Sequence, residues 1–141
     1  MRRRPLTLAT AASVAASPFA TWWACGDLSE EHEVLDHSFR APDLPVAVEA
    51  GVGGAAVAVV VGAVVLAATE ARRRPLDRLW LRVVITLVLC GAVVGFGGRV
   101  LTAGVVGANI GAGMFLLFVF PAVVLVAGTA LVRATTLARE R

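Results

Sequence analysis

The residues with the widest chemical repertoire lie in one acidic stretch, Thr21 to Pro45, which contains both histidines and one of the two cysteines. His32 and Asp36 are four residues apart, as are Glu33 and His37, so either pair would share a helical face and could hold a cation. The two histidines are five residues apart, about 140° around a helix, and do not naturally share one ion. A metal site and, because imidazole titrates at about pH 6.5, a pH sensor are therefore alternative hypotheses for this stretch.

The same stretch also has the pattern of a short amphipathic helix. Asp27 and Glu30 have the Asp-x-x-Glu spacing of a capping box, which marks a helix start. Leu28, Leu35 and Phe39 then recur on one face, while the acidic side chains lie mainly elsewhere. We favour this interpretation, in which the helix rests on the outer surface of the membrane or on other helices. It requires no metal and no other cofactor.

Cys25 raises the question of a lipid-modified or cleaved N-terminal signal. A lipoprotein signal needs an aliphatic and then a small residue shortly before its cysteine, whereas Trp22 and Trp23 stand there. A conventional signal peptidase cut near this point would place Pro18 or Trp22 where a small side chain is needed. We therefore expect an uncleaved first helix, with the two tryptophans as anchors at the membrane interface.

The notable polar residues of the glycine-rich stretch Gly95 to Phe118 are Arg99 and Asn109. Polar groups at membrane depth are costly and often mark a functional path, so the pair could line a route for an ion. In the interpretation we prefer, Arg99 lies at the outer headgroups and pairs with an acid of the first loop. Asn109 would then cap the fourth helix.

Part of this stretch resembles a known family. The residues concerned are Gly98, Arg99, Gly107, Ala108, Asn109, Ile110, Gly111, Ala112, Gly113 and Met114. They are similar to the arginine and "N-x-x-G" segment of small dimeric fluoride channels, which also have four membrane spans. The resemblance implies a small oligomeric ion channel. The chain lacks the phenylalanine-rich segment of that family, which leaves the ion-binding site of those channels without a counterpart.

The chain that must position these residues is strongly apolar, with 58% hydrophobic residues and a mean hydropathy of +0.82. Long runs without charge predict membrane helices, because backbone amides in lipid must bond within their own segment. We expect an all-α membrane protein that forms a single integral domain over residues 1–141, with spans at about 6–24, 46–69, 79–98 and 110–132. An outer loop at 25–45, with its short amphipathic helix, and a cytoplasmic loop at 70–78 connect them.

Arginine placement predicts the orientation. All 13 basic residues are arginine, a bias that suggests a GC-rich bacterial genome. With the N-terminus in the cytoplasm, only Arg40 and Arg99 lie outside, which agrees with the positive-inside rule for a bacterial cytoplasmic membrane. Both termini are then cytoplasmic. The inner arginines are Arg2, Arg3, Arg4, Arg72, Arg73, Arg74, Arg78, Arg82, Arg133, Arg139 and Arg141.

Small residues recur every four positions in the second span, at Ala50, Gly54, Ala58 and Gly62. This spacing places them on one helical face, where another backbone can approach closely. We expect this face to pack within the fold, and a dimer interface is the alternative.

The sequence excludes several function classes. The arginines flank apolar segments as topology signals, so we expect no nucleic-acid binding. Phosphate-binding, dinucleotide, serine-hydrolase and H-E-x-x-H motifs are missing, so we expect no enzyme. We predict a structural or accessory membrane protein that contacts the lipid bilayer and other membrane proteins or a second copy of itself. A small oligomeric channel or transporter and an outer-face metal or pH sensor are the alternatives.

Overall fold

A computed structural model describes residues 3–29, 38–73, 75–105 and 108–139, and within these ranges the chain is helical with no β-strand. The prediction of an all-α chain is confirmed for these residues. The helices are α1 (Arg3–Cys25), α2 (Val46–Arg73), α3 (Pro75–Thr102), α4 (Ala108–Met114), a π-helical turn (Phe115–Val119) and α5 (Phe120–Arg139).

Three helical segments are long and apolar enough to cross a membrane: Val46–Arg72, Arg78–Thr102 and Ala108–Arg139. They correspond to the second, third and fourth predicted spans. The first predicted span is a helix of 23 residues but does not belong to this group. Its serines and threonines lower its hydropathy, as the sequence already indicated.

The two serines of α1 face the interior of the bundle. Ser13 and Ser17 are 0% and 2% exposed, and their hydroxyls donate to backbone carbonyls one turn earlier in the same helix. Leu8 and Phe19, by contrast, are well exposed. Two of the residues that lower the hydropathy of α1 therefore pack against protein, while large apolar side chains lie on its outward side.

Helices α1, α2 and α3 form the centre of the fold. The indole of Trp80 donates to the hydroxyl of Thr10 near the start of α1, and Arg99 near the end of α3 bonds the carbonyl of Trp22 near the end of α1. Helices α1 and α3 are therefore parallel, and α2 runs antiparallel to both. Helix α5 packs mainly against α3, where Ala130 joins the buried cluster of Val83 and Leu87.

The turn between α2 and α3 is shorter than predicted. Helix α2 continues to Arg73 and α3 begins at Pro75, so helices occupy most of the expected loop at 70–78. A proline in the first helical turn loses no bond, because its N–H would have had no acceptor there. The Nε–H of Arg78 donates to the carbonyl of Ala71 across the turn.

Two glycines of α3, Gly91 and Gly95, allow α1 to approach closely. A Cβ at Gly95 would collide with the backbone carbonyl of Pro18, and one at Gly91 would collide with the hydroxyl of Ser17. The pair forms a Gly-x-x-x-Gly motif, in which glycines one turn apart let two helix backbones touch. This motif was not among the predicted packing faces, although its spacing is visible in the sequence.

The predicted packing face of α2 is not the face that packs among the described residues. Ala50, Ala58 and Gly62 are exposed, and a Cβ at Gly54 or Gly62 would meet no atom within 4 Å. A spacing of four residues drifts by about 40° per step, whereas alternating steps of three and four stay on one face of a packed helix. The buried seam runs through Gly53, Ala56, Ala63, Ala67 and Ala71, and its first and last members are 18 residues apart, which is five full helical turns.

A π-helical turn interrupts the last long helix just before Pro121. The N–H of Phe120 donates to the carbonyl of Phe115, five residues back, and Pro121 has no N–H to donate. Beyond this turn α5 exposes large apolar side chains, among them Leu125 at 71%. Such a surface suits hydrocarbon rather than water.

Candidate functional site

Arg99 is the centre of the polar structure at one end of the bundle. It lies in the last turn of α3, and only 11% of its side chain is exposed. Its Nη2 is 2.6 Å from the Oε1 of Glu49, and its Nε–H donates to the carbonyl of Trp22 over 2.6 Å. The guanidinium carbon also lies 4.3 Å from the centre of the Trp22 ring. One side chain therefore ties together α1, α2 and α3.

Each partner of Arg99 occupies a favourable place in its helix. The carbonyl of Trp22 lies in the last turn of α1, where backbone oxygens lack helical partners and carry the negative end of the helix dipole. Glu49 lies in the first turn of α2, where a carboxylate is favoured. The positive charge is thus met by a carboxylate, a carbonyl and an aromatic face, an arrangement that clamps the ends of three helices together.

The predicted partner of Arg99 is corrected in one respect. We expected an acid of the first loop, but the acid is Glu49, within α2. Helix α2 begins at Val46, directly after Pro45, and so Glu49 lies one turn inside the helix, where it can face α3. As expected, Arg99 lies at the end of the bundle beside an acidic side chain.

Asn109 does not cap a helix. Helix α4 begins at Ala108, so Asn109 lies inside its first turn, and its side-chain oxygen accepts a hydrogen bond from the hydroxyl of Ser38 over 3.2 Å. Arg99 and Asn109 share the same end of the fold. Among the described residues, however, they bond to different partners and make no hydrogen bond with each other. The structure does not join them into one polar path.

The first part of the loop between α1 and α2 is fixed by a chain of hydrogen bonds. Gly26, with φ of 65°, ends α1 and donates to the carbonyl of Trp23, a conformation that glycine adopts without strain. The carboxylate of Asp27 accepts from the N–H and the hydroxyl of Ser29, at 3.0 and 2.8 Å. The oxygen of Ser29 in turn accepts from the N–H of Gly104 over 3.0 Å.

These bonds change the expectation for Asp27. Its carboxylate bonds Ser29, two residues ahead, in a turn, and residues 26–29 are not helical. The hydrogen bonds from the Ser29 hydroxyl and then from the Ser29 N–H hold the pKa of Asp27 below its usual value, and the charge of Arg99 adds to this. On the far side of the loop the N–H of Phe39 donates to the carbonyl of Leu101 over 3.1 Å.

The metal hypothesis falls outside the described part of the chain. His32, Glu33, Asp36 and His37, and most of the predicted amphipathic helix with them, lie in residues 30–37. The described flanks of that segment are not helical. In the described ranges no group of three or more histidine, cysteine or acidic side chains is arranged for a metal ion. The metal and pH-sensor hypotheses stay predictions.

Comparisons with known proteins add no relative. The sequence matches no protein-family model, no curated protein and no solved structure. The resemblance of the segment around Arg99 and Asn109 to fluoride channels is therefore not supported by a family match. Function has to be argued from the geometry of this chain.

Proposed function

We propose that this chain is a non-catalytic structural or accessory protein of a bacterial cytoplasmic membrane, which it crosses four times with both termini in the cytoplasm. Three apolar helices of sufficient length support the membrane setting. The described arginines at the opposite end of the bundle from Arg99 support the orientation. They lie at the ends of α2 and α5 and at the start of α3. These residues are Arg72, Arg78, Arg82, Arg133 and Arg139.

The packing of α1 supports a fourth span that stays in the mature protein. Its serines face the bundle, its backbone touches α3 at Gly95, and it supplies the Trp22 carbonyl to Arg99. A signal peptide is removed, and its removal here would leave the Gly95 surface and the guanidinium of Arg99 without these partners. We propose that α1 is a permanent part of the bundle.

The observation that carries the proposed role is the free small-residue face of α2. Ala50, Gly54, Ala58 and Gly62 extend over about 18 Å of helix and face away from the rest of the described chain. In lipid, helices associate through close packing rather than through the hydrophobic effect, and small residues permit it. We propose that this face binds a helix of another membrane protein or of a second copy.

The charge clamp at Arg99 supports the same role. Neighbouring groups that neutralise one another at the end of a bundle stabilise a scaffold, whereas a conduction path needs polar groups that an ion can reach. Only 11% of the Arg99 side chain is exposed, and Glu49 and Trp22 hold it. The channel hypothesis stays a prediction, to be tested by flux of halide, protons and small cations from liposomes.

The test places larger side chains on the free face of α2 without disturbing the fold. We expect Gly54→Leu with Gly62→Leu to remove a partner that co-purifies with the wild-type protein after cross-linking in the membrane. A Cβ at either position would meet no atom within 4 Å, so the unfolding midpoint should stay the same. Gly128→Leu is the matched control, because a Cβ at Gly128 would also meet no atom within 4 Å but lies on α5. Unchanged association in the double variant would contradict the proposal.

A further inference from the structure

A groove lies between α3 and α5 at the arginine-rich end of the bundle. Its volume is about 470 Å³, and two arginines and three threonines line it together with aliphatic side chains. The polar lining residues are Arg82 and Thr86 on α3 and Thr129, Arg133 and Thr136 on α5. The groove is separate from the Arg99 site and from the free face of α2.

The positive charge of this groove is not neutralised by the described part of the chain. The guanidinium of Arg99 bonds a carboxylate and a carbonyl, and that of Arg78 bonds a carbonyl. The guanidinium groups of Arg82 and Arg133 have no hydrogen-bond or ion-pair partner among the described residues. Two guanidinium groups that line one concave surface favour an anion, and phosphate suits their planar donor geometry.

The threonine hydroxyls give the groove hydrogen-bond acceptors as well as positive charge. Each donates to a carbonyl of its own helix: Thr86 to Arg82, Thr129 to Val126 and Thr136 to Val132. Their hydrogen atoms are therefore engaged, while the lone pairs of the oxygens can still accept. A ligand that carries hydroxyl groups next to its phosphate would fit this pattern.

An apolar cleft continues from the groove along the same two helices. Its volume is about 360 Å³, it shares Thr86 with the groove, and it extends past Cys90 to Val93 on α3 and Val119 on the π-helical turn. From Arg82 to Val93 is about 16 Å along a helix, roughly half of the 30 Å hydrocarbon core of a bilayer. That length suits one acyl chain of a lipid in a single leaflet.

We infer that an acidic phospholipid binds along the α3 and α5 seam, with its phosphate between Arg82 and Arg133 and an acyl chain in the apolar cleft. Thr86 lines both the polar groove and the apolar cleft, so one amphipathic molecule along the seam accounts for both. Free phosphate would leave the cleft unexplained. Basic pockets between membrane helices at the cytoplasmic side are a known type of acidic-lipid site.

The test is native mass spectrometry of the full chain in detergent, titrated with phosphatidylglycerol or with phosphatidylcholine. We expect the protein to bind phosphatidylglycerol more tightly. Arg82→Gln with Arg133→Gln should weaken that binding roughly thirtyfold, since each arginine near a charged lipid surface contributes a factor of about five. Arg72→Gln with Arg139→Gln removes the same charge from exposed positions outside the groove and should change little. Equal binding of both lipids by the wild-type protein would overturn the inference.

Two further arms separate a lipid from a free anion. Ala122→Phe fills the apolar cleft and should weaken phosphatidylglycerol binding, whereas Leu125→Phe, on the exposed side of α5, should not. Inorganic phosphate should fail to displace the bound lipid. If phosphate displaces it readily, or if Ala122→Phe has no effect while the unfolding midpoint is unchanged, the site binds an anion and the lipid assignment is wrong.

Discussion

Removing the Arg99 side chain should destabilise the bundle. The burial of Arg99 and Glu49 sets limits on the loss of unfolding free energy. Arg99→Ala removes two charge-assisted hydrogen bonds and a cation–π contact and leaves Glu49 and the Trp22 carbonyl without their donor. A fully buried pair loses about 3–5 kcal/mol when one partner is removed, and a surface pair loses about 1 kcal/mol or less. Arg99 is 11% exposed and Glu49 is 37% exposed, so the pair lies between these limits.

We therefore expect Arg99→Ala to cost about 2–4 kcal/mol of unfolding free energy. Glu49→Gln should cost about 1–2 kcal/mol, because the amide oxygen can still accept a bond from the guanidinium but the opposite charge is lost. The double variant should lose less than the sum, with a coupling of about 1–2 kcal/mol. Reversible unfolding in a denaturing detergent, followed by tryptophan fluorescence, measures all three.

A matched control lies at the same end of the bundle. Arg40 is exposed and forms no bond among the described residues, so Arg40→Ala should change stability by about 0.5 kcal/mol or less. Additive losses for Arg99→Ala and Glu49→Gln, within about 0.3–0.5 kcal/mol, would refute the reasoning, because independent sites behave in that way.

Two further predictions concern α3 and the outer loop. Gly95→Ala should destabilise the fold by about 3 kcal/mol or more in the same unfolding assay, since its Cβ meets backbone, whereas Gly62→Ala should change stability by less than about 1 kcal/mol. Equal effects would contradict the close approach of α1 and α3. The pKa of Asp27 should lie below that of an ordinary aspartate and return toward it in Ser29→Ala, as measured by carboxyl NMR titration. The stabilisation from this carboxylate is present above the pKa of the unfolded chain and is lost as the pH falls through the lower folded pKa.

The apolar runs were enough to predict the helices. Charge-free length predicted α2, α3 and α5 because a backbone in lipid must bond within its own segment, whatever its neighbours are. The pairing of Arg99 with an acid was predictable for a similar reason, since an unpaired charge inside a bundle is costly. Which acid it would be was not, because Glu49 reaches Arg99 only through the rotation of α2 against α3.

The helix faces that touch could not be read from a spacing alone. The four-residue series at Gly54 and Gly62 is regular, yet the buried seam passes through Gly53 and Ala67, on a face rotated toward α1 and α3. That rotation depends on the shapes of three helices at once. The Gly91 and Gly95 pair could have been found, because its motif is complete within α3 and only its partner, α1, was unknown.

Helix α1 is the element whose packing follows least well from its sequence pattern. Hydropathy averages over the whole helix, while burial of Ser13 and Ser17 depends on which side faces protein. A helix whose polar side is covered needs only an apolar outward side, as Leu8 and Phe19 provide. Whether α1 belongs to a membrane bundle is therefore the central claim.

That claim is tested most directly by labelling Cys25 on intact cells or right-side-out vesicles with a maleimide that does not cross membranes. Cys25 is a partly exposed free thiol at the end of α1, while Cys90 lies within α3 and serves as the internal control. We predict labelling of Cys25 from outside, protection of Cys90, and an intact mass that includes α1. Protection of Cys25, or a mature chain that begins after α1 or carries lipid at Cys25, would contradict the account.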